Sequence, residues 1–397
     1  MKLRSRPEDF IVEEDCALSV TPKGPYGLYR LRKRGLTTPE AVRRIARAGK
    51  IDTGRIRFCG LKDRHAITVQ TLTVFGKPVG ALRGQGFELR PLGRTQRQAR
   101  STEIEGNQFW IVVRDLSRDE AEAARARAAS YARTGIPNYF DDQRFGSARS
   151  TGAFPGEHLC RGDAEEALRL IIATWSREDS PDVKKNRRAI AASWGDWTTA
   201  KQKLTKSTER SIVTYLTDHP HDFVGAFDRL PESLRGIVLS AFQSLIWNET
   251  LSRIVGERVD AVWVHEGRYD DVTFFEPTGE SAEALAGLVI PMAHRSWKAR
   301  DESVAAAVSE TLEARGLTSA SFKLRGFKKT YFWRGERRAL AKVGRFECRE
   351  PFEDELNEGR FAIKLRFSLP PGVYATMFVK AALGPGGSTP GRRTRGT

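Results

Sequence analysis

A single acidic residue, Asp63, lies in the part of this sequence best suited to chemistry, residues 60–70. Cations flank it on both sides, and nearby cations favour the ionised form of a carboxylic acid. The runs 55–59 and 67–75 are both typical of β-strands, so Asp63 is predicted to lie on a short loop that a sheet holds at both ends. An ionised carboxylate on such a rigid loop can act as a nucleophile or as a base.

The same stretch has a simpler interpretation as an ordinary surface turn. Charged residues are common in turns, and most such clusters are only solvated by water. Taken alone, residues 60–70 favour this second interpretation. Other blocks of the chain reverse that preference, because they contain residues that could work together with a carboxylate.

Three further blocks carry residues that could bind or position a flat heterocycle. The chain opens with Arg4, a proline and the alternating strand pattern of residues 10–14. Residues 137–146 combine an amide, three aromatic rings and an arginine, a mixture that can stack on a ring and hydrogen-bond its edge. Residues 367–376 form a strand pattern followed by a Pro-Gly turn that presents Tyr374. These blocks supply candidate partners for Asp63 from distant parts of the chain.

The elements that must position these blocks alternate between helix and strand up to residue 146. Residues 38–49 are predicted to form a helix, with a threonine cap, a proline in the first turn and a closing glycine. Ser117 and Glu120 form a capping box that opens an alanine-rich helix ending at Gly135. Residues 109–113 are predicted as a strand after a turn at 106–107. This mixture predicts an α/β or α+β domain built on a sheet.

The middle of the chain has a different character, because long helical patterns such as 164–176 and 236–255 alternate there with polar, basic linkers. In such a helical segment, tryptophans are predicted to be core anchors rather than surfaces on which bases stack. Seven of the eight tryptophans lie in this segment: Trp175, Trp194, Trp197, Trp247, Trp263, Trp297 and Trp333. Strand patterns return at 338–343 and 360–369.

The predicted organisation is a sheet domain made from both ends of the chain, residues 1–146 and 337–384. A largely helical insertion, residues 147–336, interrupts it. Residues 385–397 consist mostly of Gly, Pro, Ser, Thr and Arg, which predicts a basic, disordered tail.

The net charge of +16 is larger than solubility alone requires. A positive field attracts polyanions, and nucleic acid is the leading candidate for a partner. Six basic clusters could together follow a phosphate backbone. They are residues 30–34, 43–47, 184–188, 201–206, 323–329 and 392–395.

Several other classes of protein find little support in the sequence. No apolar run approaches the ~20 residues of a membrane span, and the first residues lead directly into charged sequence, so we expect a cytoplasmic protein. The cysteines (Cys16, Cys59, Cys160 and Cys348) are widely spaced, which predicts reduced thiols and neither a zinc ribbon nor a disulfide framework. The only close histidine pair, at 219 and 221, lacks a third ligand nearby in sequence, so no metal site is expected.

The four blocks resemble the motifs of the TruD family of tRNA pseudouridine synthases. These motifs are Pro-Glu-Asp-Phe-x-Val-x-Glu at 7–14, Gly-x-Lys-Asp-x-x-Ala-x-Thr-x-Gln at 60–70, Asn-Tyr-Phe-x-x-Gln-Arg-Phe-Gly at 138–146, and Phe-x-Leu-Pro-x-Gly-x-(Tyr/Phe)-Ala-Thr at 367–376. They occur in the family's order, and the helical block 240–248 resembles part of its inserted domain. The resemblance implies a pseudouridine-synthase-like catalytic domain with a central mixed antiparallel sheet, interrupted by a largely helical inserted TRUD domain.

The resemblance also implies roles for individual residues. Asp63 falls on the catalytic aspartate, the nucleophile that initiates cleavage of the C1′–N1 bond of uridine. Arg4 falls where the family usually has a lysine that pairs with this aspartate, and a guanidinium can preserve the pairing while changing its geometry. Asp141 replaces the family's usual glycine, and aspartate is among the few residues that tolerate a positive φ if the position needs one. The residues expected to line the uracil pocket or pack near the base are Phe10, Asn138, Phe140 and Tyr374.

The implied function is isomerisation of a tRNA uridine, typically at position 13, to pseudouridine by a monomeric enzyme that needs no cofactor and no metal. Whether Asp63 attacks the base or the sugar is left open. One alternative is a non-catalytic protein that binds or chaperones structured RNA; the net charge fits it equally well, but binding an anion gains nothing from a carboxylate. A metal-dependent nuclease would need clustered carboxylates or histidines, whereas the neighbours of Asp63 are cationic.

Overall fold

The computed structural model describes residues 1–148 and 151–385, so the predicted tail beyond residue 385 lies outside the described residues. The strands in these ranges are β1 Lys2–Leu3, β2 Phe10–Cys16, β3 Tyr26–Arg34, β4 Ile56–Phe58, β5 Ile67–Phe75, β6 Leu82–Gly84, β7 Phe87–Thr95, β8 Ile104–Leu116, β9 Ile136–Pro137, β10 Val262–Glu266, β11 Asp271–Phe275, β12 Val289–Pro291, β13 Glu336–Arg338, β14 Leu340–Ala341, β15 Gly344–Cys348, β16 Phe352–Glu353 and β17 Phe361–Leu369.

The α-helices in the same ranges are α1 Thr38–Gly49, α2 Arg118–Thr134, α3 Pro155–Cys160, α4 Ala164–Ile172, α5 Pro181–Ala192, α6 Trp197–Lys203, α7 Thr208–Asp218, α8 Phe223–Asp228, α9 Glu232–Arg258, α10 Gly279–Leu285, α11 Glu302–Glu313 and α12 Ala375–Leu383. No helix of the described residues combines the length and the apolar character needed to cross a membrane.

The chain divides into two compact units. The first contains Met1–Ile136, Glu276–Ala282 and the described part of Ala341–Gly391. The second contains the described parts of Pro137–Phe275 and Glu283–Leu340. Both ends of the described chain therefore contribute to one unit, and the intervening sequence forms most of the other.

The first unit is built on an eleven-stranded sheet with the order β15-β17-β8-β2-β5-β3-β7-β6, to which β1, β4 and β16 add at the sides. The strands are antiparallel apart from β2 and β5, which pair in parallel with Ile11 opposite Ile67. A parallel pair brings the starts of both strands to the same edge. The residues before Phe10 and the loop before Ile67 consequently meet there. The predicted class, a mixed antiparallel sheet with helices, is confirmed.

Helix α1 covers one face of this sheet. Its N-cap is Thr37, one residue earlier than predicted, and Thr37 and Glu40 form a reciprocal capping box. Its apolar side contributes Ala41, Val42 and Ile45 to a core that includes alternate residues of β3 and β5. Lys50, with a φ of 50°, ends the helix in the left-handed conformation after Gly49.

A row of phenylalanines packs across the other part of the sheet. Phe10 on β2 contacts Phe109 on β8 with ring centroids 6.4 Å apart, and Phe109 stacks on Phe367 of β17 at 5.4 Å. Phe367 in turn contacts Phe378 of α12 at 4.5 Å. This row connects the first motif of the chain with the helix that follows the last one.

The second unit is organised around α9, whose buried residues lie on most of its circumference. Gly156 of α3 lets that helix approach α9 closely, because a Cβ there would lie 2.7 Å from Cβ of Phe242. Two short antiparallel pairs, β10–β11 and β12–β13, complete the unit. The sequence patterns had indicated the helices of this unit but not the β10–β11 hairpin.

The turn predicted at residues 106–107 was wrong. Gly106 and Asn107 do not form a turn, because they lie inside β8 and pair with Asp15 and Glu14 of β2. Tertiary pairing overrides the turn preference of these residues.

The tryptophans are not uniformly core anchors either. Trp197 and Trp247 are buried, whereas Trp175 and Trp333 are exposed. The prediction from a helical segment therefore does not tell which tryptophan side chains are buried in the core.

Candidate active site

The residues between β4 and β5, 59–66, form the loop predicted to carry Asp63. The two strands pair with each other, with Phe58 opposite Leu72, so both ends of the loop are held in the sheet. The Asp63 side chain is 45% exposed, which leaves its carboxylate accessible. The strand-loop-strand prediction is thus confirmed by the structure.

Lys33 anchors the backbone of the Asp63 loop from the buried side of the sheet. It is 1% exposed and lies on the core face of β3, where its ammonium donates to the backbone carbonyls of Leu36 at 2.8 Å, Lys62 at 3.1 Å and Asp63 at 2.7 Å. Burial lowers the pKa of Lys33 to about 8, and the nearby charge of Asp63 partly opposes that shift. Three hydrogen bonds from one ammonium fix the loop backbone on either side of the reactive position.

Gln70 and Thr38 complete the support of the loop backbone. The amide of Gln70, the last residue of the second motif, donates to the carbonyl of Gly60 at 3.1 Å and accepts from the hydroxyl of Thr38 at 3.0 Å. The same hydroxyl accepts from the backbone N–H of Lys62 at 3.0 Å. Because these groups are buried and mutually bonded, they favour one loop conformation.

Lys62 connects the first two motifs. Its ammonium lies 2.9 Å from Oε2 of Glu14 and donates to the side-chain oxygen of Asn107 at 2.7 Å. Both charged side chains are almost fully buried, and the other oxygen of Glu14 accepts from the backbone N–H of Thr71 at 3.3 Å. Glu14 thus positions Lys62 and, through it, the loop. Although Lys62 directly precedes Asp63 in sequence, its ammonium is buried rather than exposed to solvent.

Arg4 reaches Asp63 from the N-terminal segment. Its Nη2 donates to Oδ2 of Asp63 at 3.2 Å, and its guanidinium lies 4.3 Å from the centroid of the Phe10 ring. The structure therefore brings together Arg4, Phe10 and Asp63, three of the six predicted site residues. Arg4 uses a single nitrogen for this contact, and its φ of 60° places it in the left-handed region.

A buried ionic network fixes the turn between Arg4 and Phe10. Asp9, the carboxylate of the first motif, accepts from Nε and Nη2 of Arg114 at 2.8–3.0 Å and from the backbone N–H of Arg6 at 2.9 Å. Nη1 of Arg114 donates to Asp354 at 2.8 Å. Since this arginine and both aspartates are almost completely buried, the network anchors the N-terminal segment to β8.

Tyr374, a fourth predicted site residue, lies in the same unit and is the N-cap residue of α12. It follows β17, whose last residue, Leu369, is opposite Asn107. Asn107 is also the residue that accepts from Lys62. Tyr374 is partly exposed and follows the strand end that adjoins the supporting network of the loop.

Asn138 and Phe140 belong to the second unit, where Arg337 binds them both. Arg337 donates through Nε to the backbone carbonyl of Asn138 at 2.8 Å and through Nη2 to its side-chain oxygen. The amide nitrogen of Asn138 donates to the carbonyl of Arg338 at 3.0 Å. Asn138 is buried, and its side chain is committed to holding this loop.

The Phe140 ring contacts both a cation and an indole. The guanidinium of Arg337 is 4.3 Å from its centroid, and Trp247 meets it edge-on at 5.6 Å. Asn248 of α9 accepts from the backbone N–H of Phe140 and donates to its carbonyl, both at 2.9 Å. Asp141, the replacement for the family's glycine, does not have a positive φ, so it needs no left-handed conformation.

Comparisons with known proteins agree with this geometry. The profile of the family described as tRNA pseudouridine synthase D (TruD) matches residues 1–381. The chain belongs to the TruD family.

Individual members of the TruD family cover the whole chain. The protein named probable tRNA pseudouridine synthase D 1 of Methanococcus maripaludis is 29% identical over 96% of this chain and 98% of its own length. The tRNA pseudouridine synthase D of Aquifex aeolicus is 28% identical over 96% and 97%. The crystal structure reported for a TruD of Methanosarcina mazei superposes with a TM-score of 0.72 at 26% identity, covering 96% of this chain and 93% of that one. Nothing in these comparisons supports a non-catalytic RNA chaperone.

Several supporting residues of this TruD chain were not predicted from the sequence. Lys33 could have been found from the sequence. It lies two residues after Leu31 and four after Tyr29, so in a strand its side chain is on the same buried face as theirs. An ammonium on a buried face needs hydrogen-bond partners. Asn248 ends the helical block 240–248 that resembles the family's inserted domain, although no role was predicted for it, and Arg337 carried no signal. Both act on Phe140 across more than 100 residues of sequence.

The tertiary structure also gathers Cys16 and Cys59, which the sequence separates by 43 residues; their sulfurs are 3.7 Å apart. The hydrogen bond from Cys59 lowers the pKa of Cys16 to about 7, and the same bond together with burial raises the pKa of Cys59. Among the described residues these sulfurs and a carboxylate oxygen of Glu14 lie within 4.8 Å of one another, but Glu14 is already paired with Lys62. That this enzyme needs no metal stays a prediction.

Proposed function

We propose that this protein converts a uridine of tRNA, at position 13, to pseudouridine, with Asp63 as the nucleophile. One observation carries the proposal. An accessible carboxylate stands on a loop whose backbone is bonded by Lys33, Gln70 and Thr38, and it is paired with Arg4 from the segment before the first motif. Such preorganisation suits a nucleophile that must meet a base with little freedom of movement.

The reaction requires only what these residues offer. The C1′–N1 bond breaks, the uracil turns, and a C5–C1′ bond forms, while the proton of C5 is lost and N1 gains one. The product is an isomer of the substrate, so no group is transferred from another molecule, and the C5 proton is exchanged for one from water. In the proposal Asp63 attacks the sugar or the base, and Arg4 keeps its carboxylate oriented.

Phe10 and Tyr374 are proposed to contact the uracil, the first from its position under the Arg4 guanidinium and the second from the turn before α12. Asn138 and Phe140 are also proposed to bind the substrate; within the second unit Arg337 holds both of them. Residues 1–146 and 337–384 are then the proposed catalytic domain, and residues 147–336 are the proposed insertion. The two compact units divide the chain differently, since residues 137–146 and 337–340 fall in the second unit and residues 276–282 in the first.

The exposed face of β3 supports a polyanionic substrate. Arg30, Arg32 and Arg34 alternate with buried residues and line this face next to Arg90 of β7. Glu13, Glu8 and Glu88 pair with Arg30, Arg34 and Arg90, while Arg32 adds charge that phosphates can bind. We further propose that the enzyme acts in the cytoplasm as a monomer.

The test is tritium release from tRNA that carries tritium at C5 of uridine. Asp63→Asn should reduce release by roughly 10⁴-fold or more, the loss typical of a removed nucleophile, while the affinity for tRNA stays within about twofold. Asp15→Asn is the matched control, since Asp15 is also a partly exposed aspartate near an arginine, Arg345, but lies outside the loop. Equal losses of binding and turnover in Asp63→Asn would show that Asp63 is structural.

The position is tested separately with a tRNA transcript in which cytidine replaces uridine 13. This transcript should bind normally and release no tritium with the wild-type enzyme. Release at an undiminished rate would mean that another uridine is the substrate, without affecting the role of Asp63.

A further inference from the structure

Residues 323–335 of the second unit, which we call the aromatic strap, expose two large rings in succession. Tyr331 is 74% exposed and Trp333 is 59% exposed, while Thr330 and Phe332 beside them are buried. This alternation follows from an extended backbone, in which successive side chains point to opposite sides. Exposed neighbouring rings of this size are unusual on a surface that has only to remain soluble.

The strap is held firmly despite its lack of regular secondary structure. The carboxylate of Asp228 accepts from the backbone N–H groups of Lys328 and Lys329 and from the hydroxyl of Thr330. Gln243, which is fully buried, donates to the backbone carbonyl of Trp333 at 2.8 Å. Two phenylalanines of the strap pack against the rest of the unit: the ring of Phe332 lies 4.9 Å from that of Phe322, and the ring of Phe327 lies 5.7 Å from that of Phe227.

Gly335 sets the orientation of the Trp333 indole. A Cβ at this glycine would overlap Cη2, Cζ3 and Cζ2 of the ring, so the indole lies directly against the glycine backbone. The six-membered part of the indole is therefore supported by the chain, while 59% of the residue's surface remains exposed. The ring is preorganised for stacking, and ordering it on binding costs little conformational entropy.

The strap is also strongly cationic. Its charged residues are Lys323, Arg325, Lys328, Lys329 and Arg334, all exposed, and it contains no acidic residue. None of these five cations has an ion-pair partner among residues 1–148 and 151–385. Cations that the protein leaves uncompensated beside exposed rings match a polyanion that also carries flat, stackable groups.

We propose that the aromatic strap is a second RNA-binding surface, which stacks unpaired bases of the substrate on Trp333 and Tyr331 and holds the adjoining phosphates with the five cations. This inference rests on the proposed function, because the occupant is the RNA substrate itself, at nucleotides other than the reacting uridine. The strap gives affinity and selects RNAs with unpaired nucleotides, whereas Asp63 performs the chemistry.

The experiment measures tRNA affinity by fluorescence anisotropy and steady-state turnover for the same variants of the full chain. Trp333→Ala and Tyr331→Ala should each weaken binding roughly 5- to 150-fold, the range expected for one lost base–aromatic stack. The loss should appear in KM, with little change in kcat. Because both rings are exposed, thermal melting of the variants should match that of the wild type.

Two comparisons make the result specific. Gly335→Ala should weaken binding by displacing the indole, yet it should have no further effect in a Trp333→Ala background. Phe352→Ala is the control, because Phe352 is an exposed ring (37%) with Glu350 and Glu353 as neighbours, and its loss should leave both affinity and turnover unchanged.

The charges are tested through salt dependence. Replacing Lys328 and Lys329 with glutamine should lower the slope of log affinity against log salt by about 0.7 for each lost phosphate contact. A strap that serves a protein partner instead would leave RNA affinity and its salt slope unaltered in all these variants, which would overturn the inference. The proposed function fails differently, if wild-type protein neither binds tRNA nor releases tritium from it.

Discussion

Arg4 and Asp63 form an ion pair at 3.2 Å although 59 residues separate them in sequence. The pair forms at the sheet edge where β2 and β5 begin side by side. There the guanidinium of Arg4 packs over the ring of Phe10. Arg4 adopts a left-handed backbone, with a φ of 60°, which costs a non-glycine residue about 1–2 kcal/mol. The buried Asp9–Arg114 pair fixes the segment that follows Arg4, because Asp9 also accepts from the backbone N–H of Arg6 at 2.9 Å.

Replacing Arg4 tests whether the ion pair matters for chemistry rather than for folding. Arg4→Met should lower the single-turnover rate by up to about 100-fold, since a nucleophile displaced by about 1 Å loses that much. Arg4→Lys should keep most of the rate, because an ammonium can still pair with the carboxylate. Melting temperatures should change little, as partly exposed ion pairs contribute only about 0–1 kcal/mol. A rate for Arg4→Met equal to the wild type would remove Arg4 from the mechanism.

Lys33 predicts a pH dependence with opposite signs for activity and stability. Its pKa is about 8 in the folded protein because of burial, against about 10.4 in an unfolded chain. Between these values the unfolded state binds more protons, so the Lys33 contribution to stability rises with pH. Activity should instead fall above about pH 8, because the neutral amine has one proton fewer for the carbonyls of Leu36, Lys62 and Asp63.

The measurement is a pH–rate profile beside a pH series of thermal melts. In Lys33→Met the fall in rate near pH 8 should be absent, although the overall rate is lower because the loop carbonyls have lost their donor. A profile of the same shape in wild type and Lys33→Met would assign the titration to another group.

Cys16 should be the most reactive thiol among the described cysteines. The hydrogen bond from Cys59 lowers its pKa to about 7, whereas burial raises the pKa of Cys348 to about 11 and that of Cys160 still further. Alkylation of Cys16 by iodoacetamide, followed by mass spectrometry, should therefore reach half its maximal rate near pH 7. In Cys59→Ala this midpoint should move upward by one or more pH units. An unchanged midpoint would show that the thiol pair does not perturb Cys16.

The network of Asp9 and Arg114 should dominate the local stability of the first unit. Arg114→Met leaves buried carboxylates on Asp9 and Asp354 without a counter-charge, which should cost about 3–5 kcal/mol in urea unfolding. The double variant with Asp9→Asn should recover part of this loss, since one uncompensated charge is gone. Strictly additive losses would mean that the two side chains do not interact energetically.

The sequence predicted regular elements well where local signals and burial agreed. The capping box at Ser117 and Glu120 opens α2, and the apolar stripe of residues 38–49 forms α1, because side chains three and four residues apart share a helix face. The turn at Gly106-Asn107 was wrong for the converse reason. Local preference there is weaker than the pairing of β8 with its two neighbours, seven residue pairs with β2 and eight with β17.

The candidate site shows the same division. The resemblance to the TruD motifs singled out Asp63, Arg4, Phe10 and Tyr374, and the structure joins the first three directly. Asn138 was expected to face the substrate, but the folded chain commits its amide to Arg337 and Arg338. Which hydrogen bonds a side chain makes depends on groups that only folding brings within reach, and no spacing rule contains them.

The sequence by itself indicated the family, through the resemblance of its motifs, and it singled out Asp63 as the candidate nucleophile. It also determined the mixed sheet class and the cationic character of this protein, which follow from periodicities of two and 3.6 and from residue identity, all of them local. Only the tertiary structure decided that Lys33 supports Asp63, that Cys16 meets Cys59, and that Trp333 remains outside the core. Such relationships depend on strand register and on the packing of distant segments, which are settled by the free energy of the whole fold rather than by any short stretch of chain.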